Sequence, residues 1–227
     1  MSRAAVIHLD KAVERKPLVE RIKEFFPALQ IYPANDGSTW LADTRIAKAH
    51  PLTKKPVTQA CIGCAYSHVD LIHDALSKQD AAIIIFEDDC EFKAEVVRED
   101  LTKYIHMANG LGEPWDILLL GGTEYVETLP AASTDYTKVG RFWGAHAFIL
   151  RERGMRAALK VFHAAQKEGT FLLADWMYNE AIRQEKLVCF GPADPFKFCR
   201  QKAGLQSYLS GKLRTYREVS GSRYQKD

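Results

Sequence analysis

The stretch AAIIIFEDDCEF, residues 81–92, decides the fold class of this chain. Its apolar residues 82–86 run directly into three acids, Glu87, Asp88 and Asp89. So short and so uniformly apolar a run is typical of a central strand that is buried on both faces. Three carboxylates at the exit of a buried strand are electrostatically costly, so we expect a bound group to relieve their repulsion.

Similar strands alternate with helices along most of the chain. Apolar runs predict further strands at 4–9, 29–34, 115–122, 144–150 and 186–190. Helical spacing of apolar residues predicts helices at 17–26, 58–79, 94–108, 153–166 and 171–184. This alternation predicts an α/β fold, with an open, mostly parallel central sheet flanked by helices. Ligands of such sheets bind at the carboxyl ends of the strands, where the three acids lie.

The composition is that of a globular chain. The 227 residues are 47% hydrophobic and 26% charged, which suits an α/β domain and excludes a disordered protein. Apolar stretches stay well below the roughly 18 residues of a membrane-spanning helix. The apolar run near the N-terminus meets Asp10 early, so we expect no secretory signal and a cytoplasmic location. Five cysteines without a regular framework predict reduced thiols.

The charge is uneven and suggests two parts, a main domain at 1–196 and a basic C-terminal tail at 197–227. The tail holds eight basic and two acidic side chains, so its net charge is +6 and the rest of the chain carries −4. Tyr208, Tyr216 and Tyr224 lie between these charges. Such a segment is typical of contact with a polyanion, such as a diphosphate, a nucleic acid or an anionic membrane surface; alternatively it is a solvated end.

The three acids are candidate metal ligands. Alternation along a strand points Glu87 and Asp89 to one side and Asp88 to the other. Two neighbouring carboxylates favour Mg²⁺ or Mn²⁺, which often complete their shell with substrate phosphates. A solvated acidic turn is the alternative. The pattern of acids does not match those of aspartate-nucleophile phosphatases or phospho-receiver domains. It does match that of a transferase, in which such acids hold a metal ion on the diphosphate of a nucleotide-sugar.

Four segments together carry a recognisable pattern: AAVIHLDKAVER (4–15), CIGCAYSHVDLIHDAL (61–76), IIIFEDDCEF (83–92) and GAHAFILRERGMRAAL (144–159). In this order, over most of residues 4–190, they resemble glycosyltransferase family 25, which includes lipooligosaccharide and collagen galactosyltransferases. Gly63, Cys64, Ser67 and His68 match the family's helix motif, whereas His8 stands where the family has Asn.

The resemblance implies a GT-A (Rossmann-like) fold, a nucleotide-sugar donor that is usually UDP-linked, a Mn²⁺ or Mg²⁺ ion and inversion of the anomeric centre. Glu87 and Asp89 are then the predicted metal ligands. The predicted donor-binding residues are Leu9, Arg15, Ser67, His68 and Asp88. As an alternative, Ser67 and His68 form only a local hydrogen-bond motif. Arg15 could contact a phosphate of the donor, and its alternative is a surface ion pair.

Direct inversion needs a general base for the acceptor hydroxyl. Asp175 in LLADWMYNE is the predicted base, because it is a lone acid in an apolar stretch beside Trp176, whose ring could stack on a sugar. Alternatively, Asp175 is an acid that complements a helix dipole. Glu180 and Glu124 are further candidates for the base.

We therefore predict a hexosyltransferase that moves a sugar to a hydroxyl of a saccharide acceptor such as a lipooligosaccharide. Two alternatives stay open: a transferase acting on hydroxymethylated DNA bases, and a non-catalytic polyanion-binding module. The basic tail would allow peripheral contact with the inner face of a membrane.

Cys61 and Cys64 have a CxxC spacing, but a zinc site needs two more ligands, and Cys189 and Cys199 are remote in sequence.

Overall fold

The computed structural model describes residues 2–39, 57–121, 124–129 and 133–202. Its five α-helices in these ranges are Lys16–Phe25 (α1), Gln59–Ser77 (α2), Arg98–Ala108 (α3), Glu152–Lys167 (α4) and Ala174–Glu185 (α5). Its strands there are Arg3–His8 (β1), Gln30–Pro33 (β2), Ala82–Glu87 (β3), Cys90–Phe92 (β4), Ile117–Leu119 (β5), Glu124–Leu129 (β6), Tyr136–Trp143 (β7), Ala147–Arg151 (β8), Cys189–Pro192 (β9) and Cys199–Gln201 (β10). All the predicted helices and strands are present, with shifted ends.

Eight strands form one sheet in the order β2-β1-β3-β8-β5-β9-β7-β6. Strand β1 pairs in parallel with β2 and β3, and β5 pairs in parallel with β9. Strands β8 and β7 each pair antiparallel with both neighbours. Six strands therefore run in one direction and two in the other. The predicted α/β class, with a mostly parallel central sheet flanked by helices, is confirmed.

The apolar run of β3 serves two cores. Ile83 and Ile85 pack on one face of the sheet, beneath α2, α4 and α5. Ile84 and Phe86 pack on the opposite face, beneath α1 and α3. Because successive side chains of a strand point to opposite faces, a strand covered on both sides must be apolar at every position. This is why the run in this strand has no polar break before Glu87.

The connections of β1, β2 and β3 create a crevice at one edge of the sheet. Strand β2 lies on one side of β1 and β3 on the other. The first connection runs through α1 on one face, and the second through α2 on the opposite face. The strand order therefore reverses at β1, and such a switch point is where open α/β sheets bind their ligands.

Four strands were not predicted. Strands β6 and β7 form a hairpin at the outer edge of the sheet, and the short β4 pairs with β10 in a separate two-stranded sheet. Phe198 is buried and β10 is paired, so these first residues of the predicted tail pack against the body. Residues 203–227 and 40–56 lie outside the described residues. The domain boundary, the partners of the tail and a role for the loop at 38–57 stay predictions.

Candidate active site

A cleft opens at the carboxyl ends of the three parallel strands β1, β2 and β3. It is lined by Leu9 and Arg15 after the first strand, by residues 34–38 after the second, and by the acids 87–89 after the third. One face of α2, including Ser67 and His68, forms a further wall. The structure therefore brings together all the predicted donor-binding and metal-ligating residues, although they come from four separate segments.

Asp88 joins the exits of β1 and β3. Its Oδ2 atom accepts a hydrogen bond from the backbone N–H of Leu9 (3.0 Å) and lies 2.9 Å from His8 Nδ1, while its Oδ1 atom accepts from Arg15 Nη1. Burial raises the pKa of the Asp88 carboxyl, and Arg15 offsets this only in part. Both carboxylate oxygens thus face partners within the protein, which indicates a positioning role for Asp88 and explains why a histidine suits position 8.

Arg15 is a buried cation of the cleft, with 7% of its surface exposed. Besides Asp88, its Nη1 atom lies 3.7 Å from Asp89 Oδ2. Burial lowers the pKa of the guanidinium, but the two aspartates outweigh this and raise it overall. Arg15 therefore does not form the surface ion pair that was the alternative. Its guanidinium lies 4.0 Å from Glu14, whereas its contact with Asp88 is short and buried.

Glu87 lies in a second group of side chains along the wall of the cleft. Its Oε1 atom is 3.1 Å from His68 Nε2 and 3.9 Å from Cys64 Sγ. The other ring nitrogen of His68, Nδ1, lies 3.0 Å from the hydroxyl of Tyr178 on α5. Burial, Glu87 and Asp175 hold the pKa of the Cys64 thiol well above its usual value. The donor atoms of Cys64, His68 and Glu87 all lie within 4.8 Å of one another, so this cluster could hold a metal ion.

Ser67 anchors the turn that follows β2. Its hydroxyl accepts a hydrogen bond from the backbone N–H of Asn35 (2.8 Å) and donates to the carbonyl of Gly63 (2.8 Å). The side chain is fully buried, so the local motif considered for the Ser–His pair is present at Ser67. The hydroxyl shapes the cleft through residues 35–37, and direct contact between Ser67 and the donor stays a prediction.

Gly63→Ala is expected to disturb the cleft. A Cβ at position 63 would stand 2.4 Å from the carbonyl oxygen of Asn35 and 2.6 Å from the backbone nitrogen of Gly37. Overpacking of backbone atoms costs about 1–3 kcal/mol, and the shift would move a wall of the cleft. We expect weaker binding of nucleotide-sugar by calorimetry and a lower melting temperature. Gly112→Ala, where the new Cβ meets nothing within 4 Å, is the control. Unchanged binding by Gly63→Ala would show that the turn does not shape the donor site.

Asp175 lies in the first turn of α5, near enough to Glu87 and Cys64 to interact with them electrostatically. Its Oδ1 atom accepts the backbone N–H of Trp176 (3.0 Å), and Gly144 donates a second backbone hydrogen bond. Burial, followed by the charge of Glu87, raises the pKa of the Asp175 carboxyl to about 6. The helix-end interaction considered above is therefore real, but it does not prevent the raised pKa. Such a carboxyl can exchange a proton near neutral pH.

Trp176 packs edge-to-face on Trp143, with ring centroids 5.3 Å apart, next to the segment that holds Asp175. The two other acids considered as bases lie in different surroundings. Glu180 pairs with Arg183 on the surface of α5, and this pair lowers the pKa of Glu180. Glu124 lies at the start of β6, where partial burial raises its pKa. Of the three acids, only Asp175 has Glu87 among the charges that shift its pKa.

From the sequence, Cys64 was considered as a metal ligand only together with Cys61, in the CxxC spacing, and Tyr178 was not considered. Cys64 and His68 are four residues apart and so lie on one face of α2, a signal that the sequence does carry. The CxxC spacing suggested Cys61 as the partner of Cys64, whereas the structure places Cys64 with His68 and Glu87. The contact between Tyr178 and His68 joins positions 110 residues apart and has no signal in the sequence.

The chain matches the model of glycosyltransferase family 25, described as LPS biosynthesis protein, over residues 1–168. It belongs to this family. The protein is therefore a glycosyltransferase, an enzyme that uses a nucleotide-sugar donor. A search of curated proteins found no match.

Solved structures similar to this chain share little of its sequence. The A197 protein from STIV has 10% identity and a TM-score of 0.46, with 94% of this chain and 93% of that one covered. A glycosyltransferase involved in the glycosylation of the major capsid of PBCV-1 has 10% identity and a TM-score of 0.45, with 82% and 75% covered. Within the described ranges, no helix is both long and apolar enough to cross a membrane.

Proposed function

We propose that this protein is a metal-dependent, inverting glycosyltransferase that moves a hexose from a UDP-sugar to a hydroxyl of a saccharide such as a lipooligosaccharide. The observation that carries the proposal is the convergence of the exits of β1, β2 and β3 on one cleft, with Asp175 near enough to Glu87 for the two charges to interact. The description of the family as LPS biosynthesis supports a bacterial-type glycan acceptor.

The donor would lie in the cleft between the turn at 34–38 and the acids of β3. A diphosphate placed there would meet Glu87, Asp88 and Asp89, and like charges at short range are unfavourable. Glu87 and Asp89 are the residues that we propose to hold Mn²⁺ or Mg²⁺. A bound divalent cation supplies Lewis-acid stabilisation of the departing diphosphate, worth several kcal/mol. Arg15 holds Asp88 and lies near Asp89, so it limits the repulsion among the acids.

Asp175 would take the proton of the acceptor hydroxyl. A base is most effective when its pKa is near the working pH, and the pKa of this carboxyl is raised to about 6. The backbone N–H groups of Trp176 and Gly144 hold its orientation. The half-buried rings of Trp143 and Trp176 offer apolar faces beside it, of the kind on which sugars stack.

Asp89→Asn tests the metal ligand. We expect this variant to lose sugar transfer and Mn²⁺-dependent binding of nucleotide-sugar, because the amide removes the negative charge that holds the cation. Released nucleotide measures transfer, and calorimetry with and without Mn²⁺ measures binding. Asp135→Asn, an exposed acid outside the cleft, is the matched control and should behave as the wild type. Full transfer by the wild type in excess chelator would contradict metal dependence.

A further inference from the structure

We propose that Cys64, His68 and Glu87 form a binding site for a borderline-soft divalent cation of the Zn²⁺ class, with a thiolate, an imidazole and a carboxylate as ligands. The predicted metal site of this protein consists of oxygen ligands alone, whereas this cluster combines sulfur, nitrogen and oxygen. The proposal names a second kind of cation for the cleft and rests on the proposed function only where it concerns inhibition of transfer.

The spacing of the three donor atoms suits one ion. Tetrahedral zinc, with bonds of about 2.0–2.3 Å, places its ligand atoms roughly 3.3–3.6 Å apart. The oxygen–nitrogen distance here is 3.1 Å, the oxygen–sulfur distance is 3.9 Å, and all three atoms lie within 4.8 Å of one another. The two distances to the oxygen differ from these values by a few tenths of an ångström, and binding would draw the nitrogen and sulfur together by rotamer adjustment.

Rigid elements hold the three ligands. Cys64 and His68 are four residues apart on one face of the long helix α2. Glu87 ends the central strand β3, and its backbone N–H donates to the carbonyl of His146 (2.9 Å). Two of the ligands therefore come from a helix and the third from a strand that packs beneath it, so the site exists only in the folded chain.

Tyr178 supplies the outer contact that metal-binding histidines usually have. Its hydroxyl lies 3.0 Å from His68 Nδ1, and His68 is fully buried. With the proton on Nδ1 donated to Tyr178, the Nε2 lone pair faces Glu87 and Cys64. A partner on the remote ring nitrogen fixes the tautomer and the orientation of a metal-binding imidazole.

The donor set determines the kind of ion. Thiolate and imidazole ligands favour Zn²⁺ and Co²⁺, whereas Mg²⁺ prefers oxygen ligands alone. Binding releases the Cys64 proton to solvent, since the thiolate is the ligand. All three side chains line the cleft, which leaves the fourth position of the ion toward the cleft. Because Glu87 is also half of the proposed Glu87–Asp89 pair, Zn²⁺ at this site is expected to inhibit Mn²⁺-supported transfer.

A cobalt titration tests the site without substrate. The full chain is stripped with chelator and titrated with Co²⁺, and the thiolate-to-cobalt charge-transfer band in the near ultraviolet is recorded. We expect a one-to-one band in the wild type that Zn²⁺ displaces. Cys61→Ala, on the same helix and outside the cluster, should keep the band, whereas Cys64→Ala and Cys64→Ser should lose it. His68→Gln should weaken Co²⁺ binding by about tenfold or more, as losses of metal-site contacts do.

Three outcomes would overturn the proposal: no band in the wild type, a band that survives Cys64→Ala and Cys64→Ser, or a band that also disappears in Cys61→Ala, which would indicate a CxxC site. Circular dichroism checks that each variant is folded, and the serine variant covers the case in which alanine misfolds. The cobalt band tests the metal site and the transfer assay tests the proposed function, so each proposal can fail without the other. A band without transfer under any metal would count against the proposed function alone, and Mn²⁺-supported transfer without a band would count against this site alone.

Discussion

Asp175→Asn is expected to lower the rate of sugar transfer by about 10²-fold or more while the affinity for the donor changes little. A general base acts in the transition state and not in donor binding, so its loss reduces the rate constant selectively. Single-turnover transfer and calorimetric donor binding measure the two quantities. Glu180→Gln, on the same helix but paired with Arg183 at the surface, is the matched control and should keep its rate.

The dependence of the transfer rate of the wild type on pH is an independent test of Asp175 as the general base. Because the carboxylate is the active form and the pKa of Asp175 is raised to about 6, transfer should fall as the pH drops through about 6 and level off above it. The variant should lack this step. If donor binding collapses together with the rate, Asp175 belongs to the donor or metal site. If neither changes, Asp175 is a helix-end acid and Glu124 is the next candidate.

The same substitution should stabilise the fold at neutral pH. The folded-state pKa of about 6 lies above the ordinary value of 3.8, so ionisation of Asp175 reduces the free energy of unfolding as the pH rises through this window. At 1.36 kcal/mol per pKa unit, the cost reaches about 3 kcal/mol at neutral pH. The asparagine variant avoids it, so its advantage in melting temperature should be largest above pH 6 and vanish toward pH 4. A variant less stable than the wild type at neutral pH would contradict the burial of this charge.

Arg15→Met is expected to reduce the free energy of unfolding by about 3–5 kcal/mol, the usual cost of removing one partner from a buried ion pair. The loss leaves Asp88, which is 4% exposed, and the nearby Asp89 without their shared cation. Urea unfolding measures the change. Arg156→Met removes an exposed ion pair with Glu152 and should change the free energy by less than about 1 kcal/mol.

Two further measurements separate charge from packing. The double variant Arg15→Met with Asp88→Asn should recover part of the loss, since the uncompensated carboxylate is then absent. The pKa of Asp88 is already raised by burial, and without Arg15 it should rise further. The defect of Arg15→Met should therefore be full at neutral pH and shrink as the pH falls and Asp88 takes up a proton. A defect that is independent of pH, with no recovery in the double variant, would assign the role of Arg15 to packing.

The fold class followed from patterns that local sequence carries. Residues 82–86 are apolar at every position because β3 is covered on both faces, and this is visible in the sequence. The hairpin of β6 and β7 was missed, since β6 lies at the sheet edge with every residue half-buried or exposed and shows no apolar run. Strands β4 and β10 have three residues each and pair across more than 100 positions, so neither has a local signal.

The sequence by itself determined the family, the order of the elements and the acids at the exit of the central strand. Only the tertiary structure decided how those acids are used. It turns Asp88 toward His8, Leu9 and Arg15, and it places Glu87 against Cys64 and His68. It also places Asp175 in a partly buried position near Glu87, which raises its pKa. The physical reason is that burial and charge–charge distance depend on how helices α2 and α5 pack on the sheet, and no local pattern records the distance between segments so far apart in the chain.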